Sequence, residues 1–262
     1  MRNIKSGDTG QSVKELQSLL GINISGNFDT TTEKAVRDYQ KSNGLVCDGV
    51  VGYSTWKSLF TGQRGTIEGS ISNNDYVIAS KLLDCDIASI KVIQAVETGG
   101  SGGFIAPGKP KILFEGHVFW RELKARNIDP LKICQSDILY PTWTKSYYKG
   151  GIKEYDRLER ARKINVDAAN SSASWGMFQV MGNNYKLCGC NSVSEFVKLM
   201  CSGEFAQLLL TINFIVNNPR IHNALRLKDW ILFAKYYNGP AQVAVYSERL
   251  KKAYENIKKT IC

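Results

Sequence analysis

Three short stretches of the chain hold residue types that could do acid–base chemistry on a polar polymer. The first ends in Glu97, which closes the run Asp86-Ile-Ala-Ser-Ile-Lys-Val-Ile-Gln-Ala-Val-Glu97 just ahead of Thr98-Gly99-Gly100-Ser101-Gly102-Gly103. A helix C-terminus carries partial negative charge and favours cations. A carboxylate placed there, beside an apolar stretch, has its charged form disfavoured by the carbonyl ends and by desolvation, which predicts a raised pKa. A carboxyl that stays protonated near neutral pH can give its proton to a leaving oxygen, as cleavage of a glycosidic bond requires. The glycines behind it leave room for a bulky chain to approach the backbone. An exposed helix-end carboxylate before a flexible loop would read the same way in isolation. Two further stretches favour the chemical reading: Ser174-Trp175-Gly176-Met177-Phe178-Gln179, which follows the small-residue stretch 168–173, and Ala234-Lys235-Tyr236-Tyr237-Asn238-Gly239-Pro240 at a helix end. Glu115, in Phe114-Glu115-Gly116-His117, is the first candidate for a second acid. An acidic residue in an apolar segment needs either a structural partner, backbone or Arg, or a chemical role. Asp156, Glu154 and Asp167 are weaker alternatives.

The elements that must position these residues are helical. Apolar spacing near 3.6 recurs over residues 74–83, 86–97, 192–201, 203–217, 219–225, 228–237 and 240–258, while few stretches alternate as strands do. One small hairpin is expected around residues 111–120. Nearer the start, Val13, Leu16, Leu19 and Leu20 and then Ala35, Val36 and Tyr39 mark two short amphipathic helices. Each is introduced by turn residues, and a third helix begins near Ser54-Thr55-Trp56. The segment from Thr61 to Ser70 is rich in Gly and Thr and lacks periodicity, the mark of a linker. The expected fold is therefore mainly α: a three-helix module over residues 1–62, a linker over 63–71, and a larger helical domain over 72–262 with at most a minor β element.

Composition narrows the function classes. The 262 residues carry a formal net charge of +10. Most of that excess lies beyond residue 64, which suits attraction to a polyanion. Without a dense Lys/Arg run interleaved with aromatics, nucleic acid is not the expected partner. Lys251, Lys252, Lys258 and Lys259 read as a solvated face of the last helix, or as a contact for anionic envelope polymers. Seven scattered cysteines, Cys47, Cys85, Cys134, Cys188, Cys190, Cys201 and Cys262, suit a protein made in a reducing compartment better than a disulfide scaffold. With His117 and His222 far from the Cys188-Gly-Cys190 pair, no zinc spacing is present, so neither metal nor cofactor is expected. The start lacks an apolar export segment, and no stretch approaches the length of a membrane span.

The order Gly-Asp-x-Gly, Val-x-x-Leu-Gln-x-x-Leu, Gly-x-Phe, Thr-x-x-Ala-Val-x-x-Tyr-Gln, Gly-Leu-x-x-Asp-Gly-x-Val-Gly, Thr-Trp-x-x-Leu over residues 4–60 resembles the peptidoglycan-binding family of three-helix modules. Asp29 departs from it, standing where that family usually has Gly. Asp48, Tyr53, Thr55 and Trp56, near a turn, are its candidate ligand contacts. Downstream, Glu97 with its hydroxyl neighbour, then Gly-x-x-Gln, then Tyr-Asn-Gly resembles the goose-type lysozyme and lytic transglycosylase superfamily. The longer pattern through residues 109–119 and 172–182 is similar to the N-acetylmuramidase domain of modular phage endolysins, over roughly residues 75–258. That resemblance implies Glu97 as the acid and Met177, Gln179, Tyr237 and Asn238 as the lining of a sugar cleft. It also implies a monomer that acts on bacterial peptidoglycan, waiting in the host cytoplasm until a holin opens the membrane. Lytic transglycosylase action and a non-catalytic wall-binding protein are the alternatives.

Overall fold

The computed structural model of the chain describes residues 3–64, 68–133 and 137–261. The chain divides into two compact units, Met1–Ile67 and Glu68–Cys262. The expected linker lies partly outside the described residues, at 65–67, as do Cys134 and Cys262.

In the first unit, α1 (Gln11–Leu20), α2 (Thr30–Ser42) and α3 (Tyr53–Arg64) bury Val13, Leu16, Val36, Trp56, Leu59 and Phe60 against Ile4, Phe28 and Val51. α3 runs on through Arg64, two residues into the stretch expected to be linker. Two buried glutamines organise the turns. The Gln17 amide nitrogen donates to Ser25 Oγ, Asn27 O and Thr32 Oγ1, and its oxygen accepts from Gly26 N. Gln40 does the same with Asp48 Oδ1, Val50 O, Thr55 Oγ1 and Gly49 N. The two sets are offset by a constant 23 positions, Gln17 to Gln40, Gly26 to Gly49 and Thr32 to Thr55, so the module is an internal repeat of one helix–turn unit. Asp29, the departure from the resemblance noted above, has a local role. It is the N-cap of α2, its carboxylate accepting from Thr32 N at 2.8 Å.

The second unit is helical around α10 (Glu204–Val216), in which every residue from Phe205 to Ile215 is buried. A helix apolar on all sides belongs in the middle of a domain. Around it lie α4 (Asn73–Leu83), α5 (Ile87–Thr98), α6 (Gly116–Lys124), α7 (Glu154–Arg162), α8 (Val166–Ser171), α9 (Val193–Ser202), α11 (Pro219–Leu227), α12 (Trp230–Tyr237) and α13 (Val243–Ile261). α4 opens with a capping box between Ser72 and Asp75, close to where the larger domain was expected to start.

The β content is small. β1 (Phe104–Ala106) and β2 (Lys109–Pro110) form a hairpin, and β3 (Ile112–Phe114), β4 (Ala173–Trp175) and β5 (Val180–Met181) form an antiparallel sheet in that order. The hairpin expected at 111–120 is thus displaced. Ile112–Phe114 pairs with the distant Ala173–Trp175, and 116–124 is helix. Only Ile112–Phe114 of the apolar run is extended, and nothing local to it marks a strand whose partner lies some sixty residues on.

Candidate functional site

Glu97 sits in the last turn of α5, with Gly99 closing the helix in the left-handed region at φ 62°. α13 packs along α5 and controls this end. Tyr246 donates its hydroxyl to Glu97 Oε1, and Arg249 Nη2 donates to the carbonyl of Val96 at 3.1 Å, one of the helix-end carbonyls without an intrahelical partner. At the other end of the same pair, Tyr254 donates to Asp86 Oδ2 at 2.6 Å, while Asp86 Oδ1 caps α5 through Ser89 N. Two tyrosines, eight residues apart on one face of α13, therefore pin both ends of the helix that carries Glu97.

Burial pushes the Glu97 carboxyl up to about 7, against an ordinary value of 4.5; the Tyr246 hydroxyl and the Arg249 charge offset part of that rise. If Glu97 must be protonated to act, activity falls as pH rises through about 7. Tyr246→Phe removes a bond that favours the charged form. The basic limb of the pH–rate profile is then expected to move to higher pH, which kcat measured across pH 5 to 9 checks. A limb that stays in place or moves down refutes the role of Tyr246.

Two cavities meet at Glu97. One, of about 430 Å³, is lined by Glu97, Glu115, Trp143, Lys145, Tyr148, Asn238, Gln242, Tyr246 and Arg249 among others. The second, of about 320 Å³, is lined by Glu97, Thr98, Ile105, Lys111, Ile112, Gly151 and Gln179. Ile105 also borders a third hollow, of about 510 Å³, between the β1–β2 hairpin and the α9–α10 junction. A long chain molecule can therefore pass Glu97 with units on both sides.

Glu115 shares the first cavity. It precedes α6, and Tyr148 donates to both its oxygens, at 2.7 and 2.9 Å. Burial raises its pKa, and the Tyr148 bond opposes this. His117 Nδ1 lies 3.3 Å from Glu115 Oε2 but off the hydrogen-bonding direction, leaving that buried nitrogen without an aligned partner; burial holds this imidazole neutral. Glu154, a weaker candidate, is a structural acid with no exposure, paired with Arg157 at 2.8 Å.

The remaining expected residues divide. Asn238 lines the first cavity and Gln179 the second, so these two flank Glu97 from opposite sides. Gln179 is held in the left-handed region at φ 49°, its amide fixed by Ser174 Oγ, Gly176 O and Lys111 O. This turn requires Gly176, at φ 73°, because a Cβ there would meet Gln207 Cδ at 2.7 Å. Gln207, fully buried in α10, accepts from Met177 N at 2.7 Å and donates to Met200 O at 2.9 Å.

Met177 itself is buried and lines none of the three cavities. Tyr237 likewise donates to Phe178 O at 2.7 Å and stacks on Phe233, so it braces the floor and touches Glu97 only through its field. In the first unit, Trp56 is fully buried and stacked on Phe60, and Thr55 is held by Gln40. Only Asp48, whose pKa is lowered chiefly by the Val50 amide, and the half-buried Tyr53 are left near a surface.

Sequence reasoning missed Tyr246, Arg249, Trp143, Lys145 and Tyr148. The exposed Trp143 in a polar loop was the one visible signal, as a flat aromatic left in water invites a ligand.

Among known proteins, the N-acetylmuramidase family model matches residues 86–258, and that of a peptidoglycan binding domain matches residues 9–59. In structure the chain is similar to Burkholderia AP3 phage endolysin, with 31% sequence identity and a TM-score of 0.65 over 100% of each chain.

Proposed function

We propose, from the premise that this chain belongs to the N-acetylmuramidase family, that Glu97 is the general acid with which it cleaves the bond between N-acetylmuramic acid and N-acetylglucosamine. The enzyme is a lysozyme-type glycoside hydrolase acting on bacterial peptidoglycan. One observation carries the assignment: a buried carboxyl poised at about 7 lies where two cavities join, so the scissile oxygen of a strand spanning both would lie beside it. Protonation of that oxygen lets positive charge build on the muramoyl ring, and water completes the reaction. Glu115 is assigned to the water side. It lines the same cavity, and the Tyr148 hydroxyl can hold it for proton acceptance. Asn238 supplies paired donors and acceptors for the sugar on one side of Glu97, and Gln179, its amide hydrogens committed to Lys111 O and Gly176 O, offers only its oxygen as an acceptor on the other.

Mass spectrometry of a wall digest tests this. Reducing muramic ends are expected, and Glu115→Gln should lower kcat while leaving the same products. Anhydromuramic ends would replace hydrolysis by transglycosylation, the muramoyl 6-hydroxyl taking the place of water.

In this reading residues 1–62 hold the wall, Asp48 and Tyr53 being the contacts still open to a ligand, and residues 72–262 cut it. Likeness to a phage endolysin supports host lysis as the biological role, with release from the host cytoplasm through a holin-opened membrane. Among the described residues, no helix is long and apolar enough to cross a membrane. The basic surface of the larger unit is assigned a contact with anionic envelope polymers, and the enzyme is expected to work as a monomer.

A further inference from the structure

The two cavities that meet at Glu97 differ in the cations that line them and in how far those cations are committed. The first is lined by two cations, Lys145 and Arg249. The second has one, Lys111, whose ammonium is already committed to Ser101 through its carbonyl at 3.0 Å and its hydroxyl at 2.6 Å. Arg249 spends one nitrogen on Val96 O. Lys145 lies 5.7 Å from the ring centroid of Trp143, which is 49% exposed, so a flat apolar face and a cation stand side by side in the first cavity. The acids that share this cavity are bonded to tyrosines and not to its cations: Glu97 Oε1 accepts from Tyr246, and both oxygens of Glu115 accept from Tyr148.

The two sugars of the substrate also differ in charge. Only muramic acid bears an acidic substituent: a lactyl carboxylate or, where that is amidated by a stem peptide, the carboxylates of the peptide.

We propose that the glycan strand crosses Glu97 in one direction, with the muramoyl residue in the cavity of Trp143, Lys145 and Arg249, and that Lys145 reads its carboxylate. N-acetylglucosamine then lies in the cavity of Lys111 and Gln179. The inference rests on Glu97 as the acid and adds polarity to it. The anomeric carbon that is attacked belongs to the sugar on the Lys145 side, and the oxygen that takes the proton leaves with the sugar on the Gln179 side. A charge-assisted bond of this kind, partly open to water, corresponds to about tenfold in affinity.

The test is binding by the full-length Glu97→Gln protein, followed by calorimetry. The probes are three tetrasaccharides: chitotetraose, the alternating N-acetylglucosamine–muramic acid tetrasaccharide without peptide, and the same with stem peptides. The muramoyl forms are expected to bind about tenfold tighter than chitotetraose, with Lys145→Ala bringing that ratio towards one and Lys145→Arg retaining it. Any contribution from the N-terminal module is common to all three proteins and does not alter the comparison. Loss on the peptide-free probe identifies the lactyl carboxylate; loss confined to the peptide-bearing probe identifies the stem carboxylates. A ratio unchanged by Lys145→Ala overturns the proposal. Because binding is read in a background of strongly reduced activity, wall clearing by Glu97→Gln at the wild-type rate would sink the acid assignment separately.

Discussion

Glu97→Gln is expected to reduce wall clearing by about 10²- to 10⁴-fold and, at the same time, to make the protein more stable above neutral pH. The first effect follows from losing the proton donor while keeping its shape and its bond from Tyr246. The second follows from linkage. In the folded protein the carboxyl titrates at about 7, against 4.5 for the ordinary group, so the folded state holds this proton more tightly than the unfolded chain does. The stability this contributes is complete below 4.5 and is lost as pH rises through about 7. That interval is worth up to about 3 kcal/mol, the energy of holding a carboxylate in a poorly solvated site. Glutamine does not titrate and escapes it. At pH 8 the variant should therefore melt above the wild type by roughly 6–12 °C, and at pH 4 the two should melt together. Calorimetry at both pH values checks this. A variant that is inactive but equally stable at pH 8 would mean that the Glu97 site does not oppose ionisation.

The helices were legible wherever one apolar face had to meet a core, because their spacing records that face directly. α4, α5, α9, α10, α11 and α12 lie within about two residues of their expected places. α13 begins later than expected, at Val243, after the turn in which Gln242 takes a positive φ. α7 shows no apolar face in the sequence because six of its nine residues are charged. Its burial depends on the Glu154–Arg157 pair, which sequence alone gives as two unrelated surface charges.

The internal repeat of the first unit was in plain view as Leu-Gln and Tyr-Gln, each followed nine residues later by the glycine its glutamine binds. It is recognised once the glutamines prove buried. At the site, Glu97 stood out because its type conflicts with its place at a helix end. Tyr246 and Arg249 did not, since they sit on a helix whose periodicity says that one face is buried but not which helix that face meets. Met177 and Tyr237 were placed in the cleft by motif alone. In the structure Met177 is buried and Tyr237 is bonded to the Phe178 carbonyl, and a motif does not separate support from contact. Gln207 is legible in the sequence in another way: an amide in the apolar run of α10 must be bonded to something.

Arg157→Met is expected to be the most destabilising of these substitutions, costing about 3–5 kcal/mol, and to abolish lysis without touching the cleft. Arg157 is 1% exposed. Its Nη1 donates to Phe114 O and Glu154 Oε2, both at 2.8 Å, while Nε and Nη2 donate to Asp137 O. Glu154 in turn accepts from Phe114 N, Lys149 N and Gly150 N. The pair thus clamps β3 to both ends of the stretch from Asp137 to Gly150, which carries Trp143, Lys145 and Tyr148. Removing Arg157 leaves a carboxylate buried without its cation and strands two carbonyls, so the melting temperature should fall by roughly 10 °C. Arg157→Lys should not rescue it, because one ammonium cannot reach the positions the planar fork spans. The double variant Glu154→Leu with Arg157→Met should recover much of the stability, since no charge remains buried, yet stay inactive because nothing then holds Lys149 and Gly150. Recovery of lysis in the double variant would show that the loop keeps its place without the clamp, and that the pair serves only the core.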